Sequence, residues 1–322
     1  MVINLKGKIN TILDEILRVS LNEKVVVAFS GGVDSSVVLT LAGEALGKEN
    51  VQAITVNFDE YSYRKGLENI LRITERLDIE LKIIDGKKVQ EKVLKRGPAC
   101  NRCTRIAKLG KVRSEAKGKL VLTGSNQSDT WGKRGLKVHD GFYAPLLDLT
   151  KKEIKEIANH FDLKILKIGE SEFREGCKLK HLLKPLASTS YHGHTAAEAN
   201  EILLNILEGA GCKIDLANVK IIGPLNKNIG LINIFPLPNE KIKETILQKL
   251  EKIETLEEVI FLEKPAKLII KANKGQFDNY HSRYWLEKGR LQPDFSIPIE
   301  VEWLLTSNKN LATFQVIDYK II

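Results

Sequence analysis

At 322 residues and 36.2 kDa the chain is long enough for two domains that each bury their own core. No stretch approaches the roughly 18 apolar residues of a membrane span, and four cysteines are too few for a disulfide scaffold, so membrane-spanning and disulfide-stapled secreted classes are excluded. Fifty Lys and Arg against 41 Asp and Glu leave a formal charge of +9, which suits a polyanionic partner but is diluted by the 28% charged content.

The first element is a helical pattern with Ile9, Ile12, Leu13, Ile16 and Leu17 on one face. It begins without the apolar core and cleavage site of a signal peptide, so a cytoplasmic location is expected. Next comes the apolar run Val25-Val26-Val27-Ala28-Phe29, then Ser30-Gly31-Gly32-Val33-Asp34-Ser35-Ser36, then a helix over 33–45. Strand, glycine turn and helix in that order build a phosphate site. The glycines allow a tight turn and close approach of a ligand, while the first helical amides point outward with the positive end of the helix dipole. Ser30, Ser35 and Ser36 add hydroxyl donors around such an anion-binding nest. No Gly-Lys pair in the chain is followed by Ser or Thr, which excludes a Walker A loop.

Strands are expected over 51–57 and 79–84, with a helix over 65–77 between them. Between Lys92 and Lys119 there are ten basic residues and one acid, Glu115, followed by Lys133, Arg134 and Lys137, a pattern open to reading as an RNA-backbone footprint or as a solvated helix face. Inside this run lies Cys100-Asn101-Arg102-Cys103, after the turn Gly97-Pro98 and at the start of a helix. Two thiolates at that spacing can grip one metal or cluster, and Arg102, Arg105 and a helix terminus would lower their pKa values. A strand over 120–123 leads into Gly124, and a helix over 151–161 carries Ile154, Ile157, Ala158 and Phe161 on one face. Alternating strands and helices imply a doubly wound parallel α/β sheet, with ligands at the carboxyl ends of its strands.

From about residue 170 the rhythm changes. A loop-rich stretch containing Gly176-Cys177 precedes a helix over 195–209, then strands broken by Gly and Pro at 223–224, 236 and 238. Apolar segments over 266–270, 299–305 and 314–317 make the last part mostly strand. The expected division is therefore 1–170, the α/β nucleotide domain, and 171–322, a second α+β domain with a substrate-binding role open to it. Arg283, Tyr284, Trp285, Lys288 and Arg290 interleave bases and aromatics there, a pattern open to reading as a surface turn or as an addition to an RNA contact. Cys212, in Gly-Ala-Gly-Cys after a helix, reads as a small buried hydrophobe.

The loop over 30–36 resembles the pyrophosphate loop of the PP-loop ATP pyrophosphatases, which adenylate a substrate oxygen and release pyrophosphate. The resemblance covers roughly residues 20 to 190. Thr123, Gly124, Asn126 and Asp129 match the family's Thr-Gly-His-Asn-x-Asp-Asp segment, with Ser125 in place of the histidine and Ser128 in place of the first aspartate. The segment from Pro145 to Ile154 is similar to the family's Pro-Leu-x-x-x-(Thr/Ser)-Lys-x-Glu-Ile stretch, read as structural, with Thr150 and Glu153 forming a capping box. The resemblance implies ATP and Mg²⁺ as ligands, Asp34 near phosphate and metal, Asp129 as the catalytic acid, and Asn57 and Phe58 beside the adenine.

Members of this superfamily differ in what attacks the adenylate: ammonia in GMP, NAD and asparagine synthetases, an amine in lysidine synthetase, and sulfur in thiolation enzymes. Cys100, Cys103 and the distant Cys177 resemble the three-thiolate 4Fe-4S site of the tRNA thiolation enzymes, which implies sulfur held at an iron as the nucleophile. On that resemblance the expected function is an ATP-dependent sulfurtransferase, with tRNA as acceptor, an external sulfur donor such as free sulfide, no membrane, and a homodimer as an option. Cys100 and Cys177 would be catalytic as well as metal-ligating. A Cys₃His zinc (Zn²⁺) site completed by His181 and a persulfide relay are alternatives, as is sulfur transfer to a small cofactor. That last reading comes from the sacrificial sulfur transferases, which share the loop and whose Cys-Leu-Ala-Ser-Arg stretch resembles Cys177 with Leu186-Ala187-Ser188. Ammonia-dependent amidation is the remaining alternative and would need no cluster.

Overall fold

The computed structural model describes residues 5–128, 136–171 and 175–322. They divide into two compact units that interleave along the chain. The first takes the chain up to Asp59, Arg64–Gly86 and Thr104–Lys167, and the second takes Glu60–Tyr63, Lys87–Cys103 and Ile168–Ile322.

The first unit is a six-stranded sheet: β1 (Val25–Ala28), β2 (Val51–Asn57), β3 (Glu80–Asp85), β4 (Val121–Leu122), β5 (Val138–His139) and β6 (Phe142–Tyr143), in the order β3-β2-β1-β4-β6-β5. All neighbours run parallel except β5 with β6. This is the α/β class expected from the alternating pattern. The run of β-branched residues in β1 is explained by its central place, because helices cover it on both faces. Val25 and Val27 face one core, shared with Ile12, Leu39 and Ile154. Val26 faces a second core with Ile54, Val121 and Val112, the last carried by helix α6 (Gly110–Glu115). That is the period-two alternation of a strand read on two buried faces.

Helix α1 (Leu5–Ser20) buries Ile9, Ile12 and Ile16, the positions its periodicity picked out. Helix α2 (Val33–Leu46) is buried over eight consecutive residues, 35–42, so it is hydrophobic all round rather than amphipathic. Helices α3 (Arg64–Leu77) and, later in the chain, α7 (Lys151–His160) pack Ile70, Ile73, Ile154 and Ile157 into the same core. The predicted capping box is present: the Thr150 hydroxyl accepts from the Glu153 amide and the Glu153 carboxylate accepts from the Thr150 amide. Because β2 and β3 lie on one side of β1 and β4 on the other, the chain reverses direction across the sheet between β1 and β4. Loops at the carboxyl ends of these strands flank the crevice where α/β folds bind ligands.

The second unit contains helices α4 (Lys87–Leu94) and α5 (Cys100–Cys103), and two three-stranded sheets. One sheet has β7 (Leu216–Ile222), β8 (Ile229–Phe235) and β9 (Glu258–Phe261) in order β7-β8-β9, with α8 (His194–Gly209) and α9 (Glu240–Leu250). The other has β10 (Ala266–Ala272), β11 (Ile299–Leu305) and β12 (Phe314–Ile321), with β10 in the middle. The three apolar segments expected as strands are strands. The connection between β10 and β11 is instead helical, with α10 (Lys274–Asp278), α11 (Tyr280–Tyr284), a π-helical turn Trp285–Leu291 and a 3₁₀ turn Gln292–Asp294. Asn273 and Asn279 supply side-chain caps to α10 and α11, which is the local reason helices form there. Among the described residues no helix is long and apolar enough to cross a membrane.

Candidate active site

The loop after β1 is shaped by its glycines and serines. Gly31 has φ +73°, and a Cβ there would lie 2.8 Å from Ile70 Cγ1 and 3.1 Å from the Gly66 carbonyl, so α3 packs directly on the turn. Gly32 caps α2 in an extended conformation (φ −81°, ψ 164°) without a side-chain cap. Its carbonyl accepts from the Ser36 amide at 3.0 Å, the Ser35 hydroxyl at 3.1 Å and the Ser36 hydroxyl at 2.8 Å. The Ser35 hydroxyl also accepts from the Ser30 amide at 3.3 Å. The serine hydroxyls expected to face phosphate are therefore spent shaping the turn. The donors that remain are main-chain: the amides of Val33, Asp34 and Ser35 precede the first i→i−4 bond of α2 and carry the positive end of its dipole.

The loop after β4 closes on the same turn. A Cβ at Gly124 would meet the Ser35 amide nitrogen at 2.9 Å and Asp34 Cβ at 3.0 Å, so only glycine allows this approach. Asn126 is fully buried. Its Nδ2 donates to Asp34 Oδ2 at 3.2 Å and to the Gly124 carbonyl at 3.3 Å, while its Oδ1 accepts from the Ser128 amide and hydroxyl at 3.1 and 2.6 Å. The Lys151 ammonium, at the first position of α7, donates to the same Asp34 oxygen. Asp34 is thus held by one amide and one cation, 92 and 117 residues away in sequence. The Pro145–Ile154 segment read as structural therefore also contributes a charge to the site. The signal was the lysine after the capping threonine, but nothing local tied it to Asp34.

Asn57 ends β2 and Phe58 follows it, at the carboxyl ends of the strands. The Asn57 carbonyl accepts from the Gly86 amide at 2.9 Å, its side chain accepts from the Asp59 amide at 3.2 Å, and Phe58 is buried with the Lys108 ammonium 5.9 Å from its ring centre. Asp129, expected as the catalytic acid, lies outside the described residues. Two residues of the basic run are engaged within the protein: Arg96 donates to the carbonyls of Lys309 and Asn310, and Arg113 donates to the Lys119 carbonyl and lies over the Phe142 ring.

The second unit brings the three cysteines into one region but not into a ligand set. Cys100 and Cys103 are one turn apart on α5, and Cys177 caps the 3₁₀ helix Lys178–His181. Buried Gln90, on α4, points its Nε2 at Cys103 Sγ (3.7 Å) and Cys177 Sγ (3.2 Å), whereas Cys100 Sγ lies 3.4 Å from Arg290 Nη2. His181 is not a fourth ligand, because both ring nitrogens are occupied. Lys220 donates to Nδ1 at 2.9 Å, and Nε2 lies 2.6 Å from Glu170 Oε2 and 2.9 Å from the Tyr63 hydroxyl. A lysine donor at Nδ1 assigns the proton to Nε2 and leaves the imidazole neutral. Burial, with the Lys220 charge beside it, pushes His181 down to about 4. Asp294 binds both Lys220 and Lys180 at 3.0 Å, and its carboxyl is held well below the ordinary range: burial opposes ionisation, but the two ammonium groups outweigh it. This buried network is internally compensated. Among the described residues, no group of three His, Cys, Asp or Glu side chains is placed to hold a metal.

Residues 6–167 match the family model for NAD synthase, half of the chain and all of the strands and loops just described for the first unit. The chain belongs to the NAD synthase family. Among curated relatives, the NH3-dependent NAD+ synthetase of Pyrococcus furiosus is 32% identical over 161 residues, covering 47% of this chain and 62% of the relative. The counterpart from Campylobacter jejuni subsp. doylei is 32% identical over 164 residues, covering 47% and 64%. The chain thus spans somewhat under two thirds of these relatives. A solved NH3-dependent NAD synthetase from Campylobacter jejuni, in complex with the nitrate ion, aligns at 27% identity with a TM-score of 0.41, over 50% of this chain and 75% of that one.

These findings correct the sequence reading at one level and keep it at another. The PP-loop ATP pyrophosphatase assignment stands. The resemblance to tRNA thiolation enzymes does not: the matching relatives are named for ammonia-dependent synthesis of NAD+, which overturns the sulfurtransferase activity, the 4Fe-4S cluster and tRNA thiolation. Of the three cysteines, Cys177 lies beyond the matched family region. The zinc alternative fails on His181, whose ring is fully engaged.

Proposed function

We propose that the protein is an ATP-dependent amide ligase: it adenylates a substrate carboxylate and gives the acyl group to ammonia. The observation that carries this is the loop 30–36, whose helix-end amides precede the first backbone bond of α2 while Asn126 and Lys151 hold Asp34 beside them. Gly32 supports the reading: a Cβ there would meet Ser30 Oγ at 3.7 Å and nothing nearer among the described residues, so there is open space beside the turn.

ATP phosphates would lie against the amides of residues 31–35, where charge-assisted hydrogen bonds and the helix dipole stabilise anionic oxygen. Asp34 would join phosphate oxygens around Mg²⁺, a hard cation that commonly takes one protein carboxylate, and Lys151 would offset charge developing on the pyrophosphate. A substrate carboxylate oxygen attacks the α-phosphorus and pyrophosphate leaves. Ammonia then attacks the acyl carbon, AMP leaves with the former carboxylate oxygen, and the amide loses a proton. Activation is needed because an unactivated carboxylate has no adequate leaving group.

The test uses the full chain with Mg-ATP, ammonium and the carboxylic-acid analogue of NAD. Formation of AMP, pyrophosphate and the amide in equal amounts, undiminished in Cys177→Ala, is the expected result. Pyrophosphate release that does not respond to ammonium would overturn the proposal.

A further inference from the structure

The second unit holds a thiol arrangement for which amidation has no use. Cys103 and Cys177 are 74 positions apart in sequence, yet both sulfurs lie within hydrogen-bonding range of one nitrogen, Gln90 Nε2. Gln90 is fully buried, and its Oε1 has no hydrogen-bond partner among the described residues. A buried amide with an unsatisfied carbonyl is uncommon, and here the N–H end serves two sulfurs. The thiolate is the nucleophilic and exchange-competent form of a cysteine, and one N–H donor stands within reach of both sulfurs. Access differs between the two: Cys103 is 5% exposed, whereas Cys177 is half-buried at the start of a short 3₁₀ helix.

We propose that Cys103 and Cys177 form a reversible dithiol–disulfide couple that exchanges with low-molecular-weight disulfides, with Cys177 the capturing thiol and Cys103 the resolving one. The Cys177 thiolate attacks one sulfur of the small disulfide, forming a mixed disulfide and expelling one thiolate, which takes a proton. The Cys103 thiolate then attacks Cys177 Sγ and expels the second thiolate. Two protein thiols are oxidised and one external disulfide is reduced to two thiols. Cys100 is set apart by its own donor, the Arg290 guanidinium at 3.4 Å, and Cys212 follows α8 in a separate turn. Closing the bond brings the sulfurs to about 2.05 Å and replaces two thiols beside the Gln90 amide with a neutral disulfide, a poorer hydrogen-bond acceptor than a thiolate.

The experiment treats the reduced full-length protein with oxidised glutathione, alkylates under denaturing conditions and maps the peptides by mass. The expected result is one cross-linked Cys103–Cys177 peptide, two glutathione thiols released per chain, and Cys100 and Cys212 fully alkylated. Cys103→Ser should stop at one glutathione on Cys177, and Cys177→Ser should take up none at Cys103. A Cys100–Cys103 bond, glutathione confined to Cys100 or Cys212, or no consumption of disulfide in the wild type would each overturn the assignment. The wild-type peptide map decides the question even where a variant does not fold.

Discussion

Gly32→Ala separates the proposed nucleotide role of the loop from its role in folding. The native backbone at Gly32 has φ −81°, which alanine adopts freely, and the added Cβ would have a single neighbour, Ser30 Oγ at 3.7 Å, an ordinary van der Waals distance. The change should therefore leave stability within about 0.5 kcal/mol, the usual range for a substitution away from packed features. The methyl group, however, occupies the open face of the turn. If it displaces a phosphate from two charge-assisted hydrogen bonds of about 1.5 kcal/mol each, roughly 3 kcal/mol of binding is lost, or about a hundredfold in Kd. Thermal unfolding and calorimetric titration with Mg-ATP measure the two quantities on one sample. A variant with wild-type Tm and wild-type ATP affinity would show that phosphate does not sit on this loop, and the argument from its amides would fail.

Three further outcomes test the packing and the charges. Gly124→Ala puts a Cβ 2.9 Å from a main-chain nitrogen that cannot swing aside, so it should cost about 1–3 kcal/mol in denaturant unfolding, whereas Gly209→Ala, with nothing within 4 Å, should be neutral or slightly stabilising. Lys220→Ala strips Asp294 and His181 Nδ1 of a buried donor and should cost about 3–5 kcal/mol; a loss below about 1 kcal/mol would mean the network is not desolvated. His181 has its pKa lowered to about 4 from 6.5, so the unfolded chain binds the extra proton first. Its contribution is present above pH 6.5 and lost as pH falls from 6.5 toward 4, and His181→Gln should flatten the fall in Tm across that window.

Elements whose information is local were legible in the sequence. The β-branched run of β1, the alternation that puts Val25 and Val27 on one face, the glycine turn, and the Thr150–Glu153 cap each depend on residues within a few positions, so periodicity and turn chemistry suffice to read them. The helical link between β10 and β11 was missed because its helices are short and set by asparagine caps rather than by an apolar stripe. The superfamily was legible in the loop, but the family and the nucleophile were not: a Cys-x-x-Cys is the same string whether it binds metal or faces an amide and a guanidinium.

The sequence alone determined that a strand, a glycine turn and a helix follow one another at 25–46 and that an α/β sheet carries them. Tertiary structure alone decided which charges meet. Lys151 meets Asp34 across 117 residues, and Lys220, indistinguishable in the sequence from a surface lysine, is buried against Asp294. Pairing of this kind is set by which strand ends and helix starts the fold makes neighbours. Coulomb and hydrogen-bond energies act over a few ångströms in space regardless of distance along the chain.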